Sequence, residues 1–171
     1  DLDIIGPMAL RLHLELRSGD DAFFFVGIRK FRDGAEIKFE GSMGFSGDMV
    51  SKGWQRAAHR TLDEALSTTV QPVHTHESAE PFRSGEIRPV LIALLPHATR
   101  FLKGDRLQLD VRGKWHYPRD PLRGQFPIFY QRSPKATGVL HTGGVHDAHL
   151  LLGVRPIAAT EKKARWKELH P

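Results

Sequence analysis

Apolar and polar residues alternate cleanly near the start of the chain. Met8, Leu10, Leu12, Leu14 and Leu16 fall on one side, and Ala9, Arg11, His13, Glu15 and Arg17 on the other. That period of two predicts a strand with one buried and one wet face. Ser18-Gly19-Asp20-Asp21 reads as a turn. From Ala22 to Phe31 both faces are apolar, with Phe24, Val26 and Ile28 set against Phe23, Phe25 and Phe31. A strand buried on both sides belongs in the middle of a sandwich. Arg32-Asp33-Gly34 predicts a hairpin turn, and Ala35 to Glu40 its return strand with Ile37 and Phe39 inward.

Beyond Glu40 the pattern loosens. Residues 41–47 form a glycine-rich loop, and Lys52 to Arg60 fits either a helix or an edge strand. Leu62 to Pro81 is a long polar connection. Gly85 to Leu95 reads as a strand, and Pro89 within it favours an edge. Leu107, Leu109 and Val111 mark the next strand, followed by a long loop rich in proline and aromatics from Arg112 to Thr137. Gly138 to His141 and His149 to Val154 are the last strands. The expectation is an all-β sandwich over residues 1–157, with Greek-key connections, long loops and at most one or two short helices. A charged tail over 158–171 frays or forms a short helix.

Composition narrows the function classes. With 171 residues the chain suits one domain with a core. The formal net charge is +5 and the pI ≈ 9.7. Lys and Arg are scattered, apart from Lys162-Lys163-Ala164-Arg165, so no basic face for nucleic acid is expected. The absence of cysteine excludes disulfides and thiolate chemistry; it fits a cytoplasmic setting and also permits secretion. No apolar run reaches the length of a membrane span and no signal-peptide pattern is present. The first residue is Asp1, not Met, and a strand follows within a few residues, which predicts a piece of a longer protein.

Candidate chemistry centres on histidines. His141-Thr142-Gly143-Gly144-Val145-His146-Asp147-Ala148-His149 is a polar loop with three imidazoles and a glycine pair, running into an apolar strand. His74-Thr75-His76 places two imidazoles on one side of an extended segment. Either set suggests zinc, but sequence alone supplies pairs rather than three converging ligands. Hydrogen bonding to loop backbone is the favoured reading, and no metal or other cofactor is expected. A serine nucleophile needs a G-x-S-x-G elbow after a strand. Gly44-Phe45-Ser46-Gly47-Asp48 ends in Asp and follows no apolar strand, so it reads as a loop, and no catalytic residue is assigned. Trp115, His116, Tyr117, Phe126, Phe129 and Tyr130 share one segment. Exposed loop aromatics on a sandwich stack sugars, which makes a carbohydrate-binding module the alternative. Asp21 and Arg60 are expected to form a salt bridge pinning the second strand to the Trp54 segment.

Five phrases, taken in order, resemble a known family. They are Lys52-Gly53-Trp54-Gln55-Arg56-Ala57-Ala58-His59-Arg60, Pro72-Val73-His74-Thr75-His76, Pro81 to Glu86, Phe101 to Asp110, and His141 to Pro156. Together they resemble the C-terminal domain of the X-prolyl dipeptidyl aminopeptidase and cocaine esterase group, the CocE/NonD hydrolases. The resemblance implies a jelly-roll sandwich of galactose-binding-like type. It also implies a partner in the same polypeptide, an α/β-hydrolase domain whose Ser-His-Asp triad acts on esters or peptides. On that reading the present chain is not catalytic. It buttresses the hydrolase domain, shapes the substrate entrance and offers a possible contact for homo-oligomers. His74, His76, Trp115, His141, His146 and His149 are the candidates for the interdomain face or pocket rim. The long 63–80 connection and the 115–136 loop depart from the commoner pattern.

Overall fold

The leucines of the opening segment face inward, as their alternation requires, from a strand longer than the pattern shows. In a computed structural model, which describes residues 1–41, 47–117 and 134–157, strand β1 spans Leu2–Ser18. A bulge at Gly6–Met8 breaks its register with β5, Ile87–Phe101. That bulge interrupts the alternation and hides the first turn of the strand from a sequence reading. Strand β8, His149–Pro156, and the shorter β7, Thr137–His141, share the other edge of β1. Leu2 lies opposite Pro156.

The second layer is built on β2, Phe23–Arg32. One edge pairs with β3, Ala35–Ile37, and β4, Ser51–Arg56; the other pairs with β6, Arg106–Arg112. Every pairing is antiparallel. The layers join where Gly53 of β4 meets Leu94 of β5. A Cβ on Gly53 would lie 2.2 Å from the Ala93 carbonyl oxygen, so only glycine permits that approach. Leu10, Leu12, Leu14, Val90, Ile92 and Leu94 from one layer meet Phe24, Val26, Ile28 and Val50 from the other. Such burial is worth about 1.5–3 kcal/mol per large side chain.

Most of the expected elements are present. The 52–60 segment is a strand followed by a single 3-10 turn, Ala57–His59. Gln55 is buried there because its amide donates to the carbonyls of His59 (2.6 Å) and Arg56 (3.0 Å). β5 is an edge at Pro89, which faces only His13. The return strand after Asp33-Gly34 stops at Ile37, and Phe39 instead bridges Asp48. The stretch around Ser46, the aromatics Phe126, Phe129 and Tyr130, and the tail from Ala158 lie outside the described residues.

Two expectations change. The face of β1 predicted to be wet is covered: Ala9, His13 and Glu15 are buried. The 62–74 segment lies over part of it, lining a cleft with Ala9 and Arg11, and His146 packs on His13. Asp21 does bridge to the Trp54 segment, but to Arg56 at 2.5 Å, not to Arg60. Arg60 pairs with Glu80 at 3.1 Å and lies over the Phe82 ring. β4 runs opposite Phe23 at Arg56, which brings that guanidinium beside Asp21. The chain turns at Ala57–His59 before Arg60 is reached.

Candidate functional site

The outer face of the first layer gathers most of the sequence-predicted histidines. The β1–β7 register sets His13 directly opposite His141. His141 shares a hydrogen bond with the buried Glu15 carboxylate through Nε2 at 2.9 Å, and Arg17 pairs with the same carboxylate at 3.2 Å. His146 returns over both rings, with centroids 5.2 Å from His13 and 5.2 Å from His141. A tight turn makes this possible. Gly143 and Gly144 take positive φ, and the His146 N–H donates to the Gly143 carbonyl at 3.0 Å. Burial pushes the His13 imidazole below its usual pKa; nearby Arg11 and His146 add to this and Asp147 opposes it. His149 is opposite Arg11 on β8 and pairs with Asp147 at 3.2 Å.

A second group lies on the covering segment. His76 packs near His59 (5.7 Å between centroids) and His74 (5.8 Å). Leu62 and His74 bridge antiparallel, closing the intervening residues into a hairpin-like flap. Burial also lowers the His74 pKa, with His76 adding to it. Between flap and sheet is a cleft of ≈ 390 Å³, floored by Ala9, Arg11, Leu91 and Leu151 and walled by Leu62, Ser67 and His149. The flap carries a bare Leu66 at 65% exposure, and the turn that seats His146 on His13 carries a bare Val145 at 89%.

Trp115 is elsewhere. It packs edge-on against Phe25 and Trp54 on the outside of the second layer and is only 8% exposed, so its ring is not offered to a sugar or a rim. His116 beside it sits against Gly27, and burial lowers its pKa to about 4. Tyr117 donates to Asp48 at 2.7 Å, and Asp48 also accepts from Lys52 at 2.5 Å.

The residues that sequence reasoning missed are His13, Glu15 and His59. His13 and Glu15 looked like the solvent side of an amphipathic strand. The i, i+2 spacing of His13 and Glu15 was the available signal, but its meaning depends on which loop folds back over it.

Among the described residues no three or more His, Cys, Asp or Glu side chains are arranged to hold a metal ion. None of the serine hydroxyl bonds there runs to an imidazole: Ser18 bonds Thr137, Ser51 bonds Leu95, and Ser67 bonds Val73.

The family model for the X-Pro dipeptidyl-peptidase C-terminal non-catalytic domain matches residues 1–151. The chain belongs to this family. As an X-Pro dipeptidyl-peptidase C-terminal domain it also has close structural likenesses. Two crystal structures of a CocE/NonD family hydrolase from Staphylococcus aureus align with TM-scores of 0.80 and 0.79 at 30% and 31% identity. In both cases the alignment covers 90% of this chain but 28% of the hydrolase chain. The domain thus spans little more than a quarter of those proteins. No curated protein matches it at a significant level. By its description the family's domain is non-catalytic. Among the described residues no helix is long and apolar enough to cross a membrane.

Proposed function

We propose that this domain is the C-terminal sandwich of a serine hydrolase acting on esters or X-Pro peptides, and that it docks on the hydrolase domain through the outer face of its first layer. The observation that carries the docking face is a pair of bare apolar residues, Leu66 and Val145, on the two segments that fold back over β1. Isolated surface leucines and valines are common, but two on segments covering one sheet face fit an interface. The histidines at this face act as packing and hydrogen-bonding groups, not as ligands or bases. The domain would hold the hydrolase domain in place and form one wall of its substrate entrance. A cytoplasmic location belongs to the same reading, supported by the cysteine-free sequence.

The test uses the full-length polypeptide. Leu66→Asp together with Val145→Asp should leave the sandwich folded, separate the two domains by small-angle scattering, and raise KM for the cleaved substrate. The 171-residue chain alone should not hydrolyse a chromogenic ester. Ester hydrolysis by that chain, blocked by a serine-directed inhibitor, would overturn the assignment. Unchanged scattering in the double variant would remove this face from the interface.

A further inference from the structure

The turn that carries Val145 is seated on the sheet by imidazole rings. His146 packs on His13 and His141, each at 5.2 Å between centroids. The Ala148 N–H donates to the His146 carbonyl at 2.8 Å and the His146 N–H to Gly143, so residues 143–148 are braced internally. The segment also meets the sheet through Asp147, which pairs with His149 of β8 at 3.2 Å and whose backbone hydrogen-bonds the His13 ring.

The charges around the rings leave little to balance added protons. On β1, Arg11 is a fixed positive neighbour, and Glu15 already bonds both His141 and Arg17. On the turn, Asp147 is paired with His149; its carboxylate and backbone favour a proton on His13, but less than burial, Arg11 and His146 oppose one. On β5, Pro89 faces His13, with Ile87 and Leu91 on either side along the same face, and none of them ionises. On β8, His149 faces Arg11. His13 is 8% exposed, and its Nε2 is buried with no hydrogen-bond partner. A proton on that nitrogen would have nothing to donate to while the turn is seated.

We propose that the 142–148 turn is a proton-operated latch, seated while His13 beneath it is neutral and lifted when that ring is protonated. Lifting carries Val145 away from its docking position and loosens the hydrolase domain; this second step rests on the docking reading above. The sign follows from burial. The seated state disfavours charge on His13, so it binds fewer protons than the lifted state over the range below the ordinary imidazole value. Falling pH in that range therefore favours lifting.

Hydrogen exchange on the 171-residue chain at pH 7.5 and 5.5, corrected for the intrinsic pH dependence, reads the first step directly. Protection of amides 142–148 should fall about tenfold for each unit by which His13 titration is suppressed, while β1 and β5 amides stay protected. His13→Gln and His146→Gln, made singly and together, should flatten that response. Equal protection at both pH values, or an undiminished response in the double Gln variant, overturns the latch. If a single variant unfolds, the pH titration of the His13 ring protons by NMR in the unaltered chain decides the matter. Ring signals that do not shift together with the 142–148 amides count against the latch. Interdomain cross-linking in the full-length polypeptide separates the two readings. Lifting without any docked hydrolase domain at pH 7.5 overturns the docking reading alone. Docking with a pH-insensitive turn overturns the latch alone.

Discussion

Asp21 accepts from Arg56 Nε at 2.5 Å with one carboxylate oxygen and from the Ala58 N–H at 2.8 Å with the other. One side chain therefore ties the start of β2 to the end of β4 and to the 3-10 turn that follows. Ala58 is buried, so its amide has no water to replace Asp21. Asp21→Ala should cost about 1–3 kcal/mol in urea unfolding, the penalty of a stranded buried donor. A double-mutant cycle should show coupling of Asp21 with Arg56 well above that with Arg60. Equal couplings would contradict this arrangement.

Lys30 offers a sharper contrast. Its ammonium crosses the end of the sandwich from β2 to the Arg100 carbonyl at 2.5 Å, with the buried Asp105 carboxylate 3.3 Å away. Asp105 is held well below its ordinary pKa, chiefly by Arg32, which donates at 2.7 and 2.8 Å. Asp105→Asn removes the countercharge and should cost about 3–5 kcal/mol, whereas Lys30→Met removes the buried charge itself and should cost far less. The order of the two denaturation midpoints checks this, and the reverse order would refute it.

At Gly53 the expectation is steric. A Cβ there meets the Ala93 oxygen at 2.2 Å, and β5 backbone cannot swing aside as a flexible side chain would. Gly53→Ala should lower thermal stability by several degrees, in line with a loss of about 1–3 kcal/mol from overpacking. Gly34→Ala meets no neighbour within 4 Å and feels only its positive φ. A Gly53→Ala protein as stable as the parent would show that the layers can part without loss.

Acid should weaken the whole fold before carboxylates begin to protonate. Burial lowers the pKa of His116 to about 4 and also lowers those of His13, His74 and His97. Each binds its proton more readily in the unfolded chain, so stability is full above the ordinary imidazole pKa near 6.5. It declines as pH falls from there toward about 4. Melting temperatures across that range should fall steadily, and His116→Phe should reduce the slope. A flat profile would mean these rings are solvated in the folded protein. Asp3, depressed chiefly by Arg100 with Arg155 beside it, acts the same way at lower pH: its contribution is present above the usual carboxylate range and fades below it.

The fold was legible wherever packing dictates residue type. The β1 leucines, the all-apolar β2 and the Asp33-Gly34 turn report directly on burial and backbone geometry. What escaped were positions whose burial depends on distant chain. His13 and Glu15 read as solvent-facing because nothing local shows that 62–74 and 142–148 fold back over them. Whether Lys52 to Arg60 is helix or strand stays open in the pattern, because the burial of Gln55 depends on the His59 and Arg56 carbonyls it reaches. The Asp21 partner was missed by one turn of backbone, since Arg56 and Arg60 are equally plausible until the end of β4 is known. Five histidines named from sequence, His74, His76, His141, His146 and His149, lie at or beside this face with His13, which the alternation placed in solvent.

The pairing of Leu2 with Pro156 has a mechanical consequence. Because β1 and β8 are antiparallel, the described chain enters and leaves at one corner, along neighbouring strands. A force pulling these two strands apart there would load their bridges one after another, as in opening a zipper, instead of shearing them together. Such a domain should peel from that corner at low force in a single-molecule pulling experiment, long before the Met8–Ile92–Val26 centre of the core gives way.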